Sequence, residues 1–191
     1  GFPQTLPEEA VRIIQTGFAD TLATLVAGRD EPVVQIARQF VAARHPAAGA
    51  SSVLLGRERL NAADAALING TAAHGEDYDD TFEGGPVHSG AVVVPAAMAI
   101  CEQEGLSGDR LLLATAYGSE LLCRLSLVTP KAIHKAGFHP TAVIGTMASA
   151  AAVSVALGLN KKQTIDALGI AGSMASGIIE YLAEGTWTKR M

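Results

Sequence analysis

PTAVIGTMASAAAVSVALGL, residues 140–159, carries no charge, and how this run is read decides the fold. Proline at its start suits the first helical position, where no backbone N–H is needed, and Gly158 suits the close. A membrane span needs about 20 strongly apolar residues. This run is mostly alanine and is interrupted by Thr146, Ser149 and Ser154. Its small residues, Gly145, Ala148, Ser149 and Ala152, let two helix backbones approach closely. The expectation is a central core helix from Pro140 to Leu157, with no membrane association.

Working outward, the chain reads as helix after helix. From Pro7 to Ala27 the apolar residues Val11, Ile14, Phe18, Leu22 and Leu25 recur at spacings of three and four, which makes one buried stripe. Thr5 and Glu8 suggest a capping box at its start, and Gly28 ends it. Further helices are expected over Pro32–Ala43, ending at the His45-Pro46 break, then Arg57–Gly75, Ala91–Glu104 and Gly108–Leu127. Ser107 is the expected N-cap of the last of these. Asn160 and Gln163 form a capping signature for a final helix, Lys161 to about Ala175. No run alternates with period two for long enough to predict a strand, so the fold class is all-α in a multi-helix, bundle-like domain.

Composition agrees with a packed domain. Of 191 residues, 49% are hydrophobic and only 17% charged, which supplies a core and argues against disorder. A net charge of −5 gives no support to nucleic-acid binding, which needs clustered basic surface. Cys101 and Cys123 lie inside apolar helical patterns without metal-type spacing. They read as buried free thiols, which suit a reducing cytoplasm or mitochondrial matrix, and the expected location is cytoplasmic.

Chemistry concentrates in three places. The first is His74-Gly75-Glu76-Asp77-Tyr78-Asp79-Asp80-Thr81, followed by His88-Ser89-Gly90. If the helix persists, His74, Asp77 and Thr81 share one face, and Asp79 points elsewhere, to a cap or a structural hydrogen bond. Three readings stay open on spacing alone: a solvated acidic helix end, an acid–base site, and a magnesium site of the kind that processes phosphate esters. The second is Gly137-Phe138-His139-Pro140-Thr141, where His139 falls at the N-cap of the charge-free helix. The free N–H groups there favour an anion, and the same field tends to keep an imidazole neutral. The third is Thr186-Trp187-Thr188-Lys189-Arg190, whose cations suit a polyanionic substrate.

Taken in order, these pieces resemble the MmgE/PrpD family. Asn69-Gly70, His74, Asp77 to Thr81 and His88-Ser89-Gly90 resemble its first signature. Gly137 to Thr141 with Gly145 resembles the second, and Ile170 to Ser173, Gly177 and Thr188-Lys189 the third. The resemblance implies a helical domain with a smaller lid domain, usually in a homodimer, acting on small di- or tricarboxylates without metal or organic cofactor. It places Asp77, Thr81, His88, His139 and Lys189 in the active site. His88 and His139 would transfer protons, and Asp77 would orient a histidine or take part in proton transfer. Thr81 would hydrogen-bond substrate and Lys189 would bind a carboxylate.

The reaction expected from the resemblance is that of a 2-methylcitrate dehydratase-like hydro-lyase. Decarboxylation or epimerisation by the same residues are the alternatives, and a non-catalytic helical dimerisation module is a further one. Family members are more than twice this length, so a lid domain is expected beyond residue 191. The 191 residues alone are expected to be inactive or nearly so.

Overall fold

The computed structural model describes residues 5–44 and 49–190, so the expected His45-Pro46 break lies outside the described residues. Two long helices, α1 (Glu8–Gly28) and α2 (Pro32–Arg44), lead to a pair of two-residue strands, β1 (Ser51–Ser52) and β2 (Arg59–Leu60). The main body follows: α3 (Ala62–Ala73), α4 (Ser89–Gln103), α5 (Gly108–Val128), the single turn α6 (Ala132–Lys135) and α7 (Pro140–Ala156). Then come α8 (Lys161–Met174), the turn α9 (Tyr181–Glu184) and a 3-10 turn, Trp187–Arg190. The architecture is all-α.

The charge-free run is α7, and it lies at the centre. It packs most extensively on α5 and also touches α4 and α8. Ala148 and Ala152 are fully buried among Val93, Ala97, Leu122 and Val155, so the small residues serve close helix approach. By length and composition only α5, among the described residues, would suffice to cross a membrane. Its Leu113, Ala114 and Leu122 are buried in this same core. A second apolar cluster joins α1, α2 and α3 through Leu25, Val33, Val34, Val41 and Ile68.

Gly118 marks the tightest crossing. A Cβ there would sit 2.7 Å from Val93 Cγ1 and 2.9 Å from Ala152 Cβ, where no methyl fits. Gly118→Val is expected to destabilise the domain by about 1–3 kcal/mol through overpacking, read as a lower urea midpoint. An unchanged midpoint would mean that α5 and α7 separate freely.

Several boundaries differ from the expectations, each for a local reason. The first helix starts at Glu8 with Pro7 as N-cap and no side-chain cap bond, so the Thr5 capping box does not form. Its expected stripe is only part-buried until Leu25. The third helix starts at Ala62 rather than Arg57, because Ser51 and Ser52 pair with Leu60 and Arg59. Asn61 then caps it by accepting from the Asp64 N–H at 3.0 Å. The Ser107 cap and the Asn160–Gln163 capping box form as expected.

Candidate active site

Three helix ends meet at one place, and each ends in a histidine. His74 is the C-cap of α3, His88 the N-cap of α4 and His139 the N-cap of α7. None of the two N-cap imidazoles makes a side-chain cap bond, so both rings are free for other contacts. The ring centroids of His74 and His88 are 5.0 Å apart, those of His74 and His139 6.0 Å, and those of His88 and His139 6.3 Å. The two N-termini are tied together: the His88 N–H donates to Thr141 Oγ1, in the first turn of α7, at 3.1 Å.

The acidic stretch does not continue the helix. After Gly75 the chain turns, and Asp77 takes a left-handed backbone (φ 57°), which aspartate tolerates better than most residues. The shared face expected for His74, Asp77 and Thr81 therefore does not exist, and the roles of the carboxylates change with it. Asp79, expected to point elsewhere, is buried at the centre. Its Oδ2 lies 2.7 Å from His74 Nδ1 and its Oδ1 lies 3.6 Å from His88 Nδ1. Asp80 faces the start of α4, where Oδ1 accepts the Gly90 N–H at 2.7 Å. Burial, opposed by that hydrogen bond, raises the Asp80 pKa above the usual carboxylate value. Asp77 instead pairs with Lys189.

Asp80 thus caps α4 and holds His88 at its start. Asp80→Ala is expected to cost about 1–2 kcal/mol of stability, measured by denaturant unfolding. A variant as stable as the parent would show that Gly90 finds another acceptor.

His88 is positioned by backbone rather than by charge alone. Its Nδ1 lies 3.1 Å from the Asp80 carbonyl and 3.3 Å from Thr81 Oγ1. A carbonyl only accepts, so this contact places a proton on Nδ1. Thr81 is exposed and touches the ring from outside.

His139 is buried, and its pKa is lowered to about 4. Burial is the main cause, followed by the charges that His74 and His88 would carry, against a smaller opposing effect of Asp79. Neutrality was expected from the helix end, whereas desolvation supplies most of it. The segment carrying Tyr181 closes over the ring: the His139 N–H donates to Gly177 O at 2.9 Å, and the Ile179 N–H to Gly137 O at 2.9 Å. The Tyr181 ring then packs edge-on to His139, with centroids 5.4 Å apart.

A cavity of about 580 Å³ opens beside these groups, walled by α3, α4, α7 and the C-terminal segment. His74, His139 and Lys189 line it, with Thr141, Ser149 and Tyr181 as further polar groups. Its other walls include Ala66, Leu67, Val92, Pro95 and Ala96. His88, Thr81 and Asp77 are not among its lining residues. His88 instead contacts His74, with ring centroids 5.0 Å apart, and Asp79, and Asp77 pairs with Lys189.

Asp77, Asp79 and Asp80, the carboxylates of the alternative magnesium reading, each have a different partner. Among the described residues, the donors close enough to share a metal ion are those of His74, Asp79 and His88, within 4.8 Å of one another.

A profile of the MmgE/PrpD N-terminal domain matches residues 3–191. The chain belongs to the MmgE/PrpD family. Among its curated relatives is a human cis-aconitate decarboxylase, 37% identical over 185 residues, covering 92% of this chain and 38% of that protein. Cis-aconitate decarboxylase of Aspergillus terreus is 30% identical over 187 residues, covering 93% and 36%. The chain therefore spans less than two fifths of the length of these relatives. Both relatives are named as decarboxylases, not as 2-methylcitrate dehydratases.

Within the family motifs, not every residue is chemical. Asn69 is buried and holds the loop before α3, accepting from the Leu54 N–H at 3.0 Å and donating to Ser52 O at 2.9 Å. Gly70 lets α3 approach α4, since a Cβ there would meet Ala91 O at 3.3 Å. Sequence reasoning missed Tyr181 as a wall of the site, for which no motif signal exists. It also missed Asp79, for which Gly75 was the available signal, because a glycine directly after His74 is a helix stop.

Proposed function

We propose that this chain forms the histidine-bearing part of the active site of a cis-aconitate decarboxylase-like lyase. The observation that carries the reading is the convergence of His74, His139 and Lys189 on one cavity of about 580 Å³. The names of the relatives support decarboxylation among the reactions that such a cavity permits.

Cis-aconitate is an unsaturated tricarboxylate. When the carboxylate on its methylene carbon leaves as CO₂, the electron pair of the broken C–C bond forms a new double bond. The old double bond shifts its electrons toward the neighbouring carboxylate, and that carbon then takes one proton. Charge builds as an enediolate, which needs a cation and N–H donors close by. Lys189 supplies the cation. His139, neutral at pH 7, supplies a ring N–H, and His88, which does not line the cavity, acts through its contacts with His74 and Asp79. The apolar walls favour the step in which a charged carboxylate becomes neutral CO₂.

The test is to incubate the intact protein, not residues 1–191 alone, with cis-aconitate in D₂O and follow CO₂ release and the product by NMR. Release of CO₂ with one deuterium bound to carbon per turnover is expected. Turnover of 2-methylcitrate without CO₂ release would replace the reading by the dehydratase one. Activity abolished by a chelator and restored by a divalent ion would make the His74, Asp79 and His88 cluster a metal centre instead.

A further inference from the structure

We propose that His74 is a further catalytic residue, a proton carrier facing the cavity, and that Asp79 positions it. This rests on the acid–base reading above and assigns its proton donor. Side chains so deeply buried, 6% exposed for His74 and 2% for Asp79, are polar groups that must be paired to be tolerated. The pairing is one-sided. Nδ1 of His74 lies 2.7 Å from Asp79 Oδ2, whereas Nε2 of His74 is buried with no hydrogen-bond partner among the described residues. His74 also lines the cavity.

An ionised carboxylate only accepts, so His74 carries a proton on Nδ1, and Nε2 is the nitrogen left to carry a second proton. The buried Asp79 Oδ2 needs a donor, which Nδ1 supplies, but nothing in that pairing occupies Nε2.

Asp79 serves two rings. Its second oxygen, Oδ1, is also buried without a hydrogen bond and lies 3.6 Å from His88 Nδ1. One carboxylate is therefore the counter-charge for an imidazolium on either ring, and a proton can reside on His74 or His88 without stranding a buried charge. In the step itself, Nε2–H of His74 gives its proton to the carbon that receives the shifted electron pair. Nδ1–H stays on Asp79, and Nε2 regains a proton from water before the next turnover. Proton delivery by a held imidazole typically contributes about 10²–10⁴-fold.

Two measurements test this. In ¹⁵N spectra of the unliganded protein, His74 Nδ1 is expected to be protonated, and Asp79→Asn to change the His74 nitrogen shifts. In kinetics with cis-aconitate, His74→Gln and Asp79→Asn are expected to lower kcat about 100-fold with KM changed less than threefold. A resting His74 protonated only on Nε2, or a His74→Gln protein with kcat within threefold of the parent, overturns the proposal. An intact parent protein, extending beyond residues 1–191, that does not turn over cis-aconitate overturns the proposed function, and the nitrogen shifts, which need no substrate, then decide the His74–Asp79 pair on their own.

Discussion

Replacing His139 by asparagine is expected to lower the rate of the proposed decarboxylation about 10²–10³-fold while leaving the helical fold intact. Loss of one donor aimed at a developing oxyanion typically has that effect. His139 sits where α7 begins, its ring is buried, and its pKa is lowered to about 4, so it is neutral at working pH. A neutral imidazole suits two tasks there: it hydrogen-bonds the enediolate, and it leaves the substrate carboxylates to Lys189. Asparagine keeps an N–H donor and the helix start, but the shorter side chain does not reach as far. The loss should appear mainly in kcat. Equal falls in kcat and thermal stability would instead mark His139 as a structural cap.

Lys189→Met is the second large effect. Lys189 is held by Asp77, its side chain is only 11% exposed, and it faces the cavity. A charge-assisted hydrogen bond is worth about 1.5–3 kcal/mol, so kcat/KM should fall roughly 10–100-fold. If the cation binds a carboxylate that stays on the product, the loss appears in KM. If it faces the enediolate, the loss appears in kcat, because the interaction strengthens only in the transition state. Methionine preserves the packing of the stem, which separates lost charge from lost contact. A Lys189→Met protein with unchanged kcat/KM would remove the cation from the account.

Much of the fold was legible in the chain because helices declare themselves locally. The run 140–157 has proline at the start and glycine after the end, and its small residues predict the close packing found on α5. Ser107 and Asn160 were legible for the same reason, since a cap bond spans three residues. The site was legible as residue types. Its wiring was not.

The 3.6-residue rule pairs His74 with Asp77, but it holds only while the helix lasts. One residue past Gly75 the geometry depends on tertiary contacts that no spacing encodes: Asp77 reaches 112 residues along the chain to Lys189, and His88 reaches 53 to Thr141. The choice among dehydration, decarboxylation and epimerisation was illegible for a chemical reason. All three need an acid–base pair and a cation beside a carboxylate, so the same residue types serve each.

The central claim is that the cavity holds a buried, neutral His139 ready to act at neutral pH. Histidine-ring NMR across pH 3–8, with the His139 signal assigned by its loss in His139→Asn, tests it most directly. The lowered pKa makes the folded state bind fewer protons than the unfolded one. Stability is therefore full above pH 6.5 and is lost as pH falls toward 4, by on the order of 2 kcal/mol after solvent screening in the open cavity. The account predicts a His139 midpoint near 4. A midpoint at or above 6.5 would mean a solvated ring that shares its protons with water, and it would contradict the account.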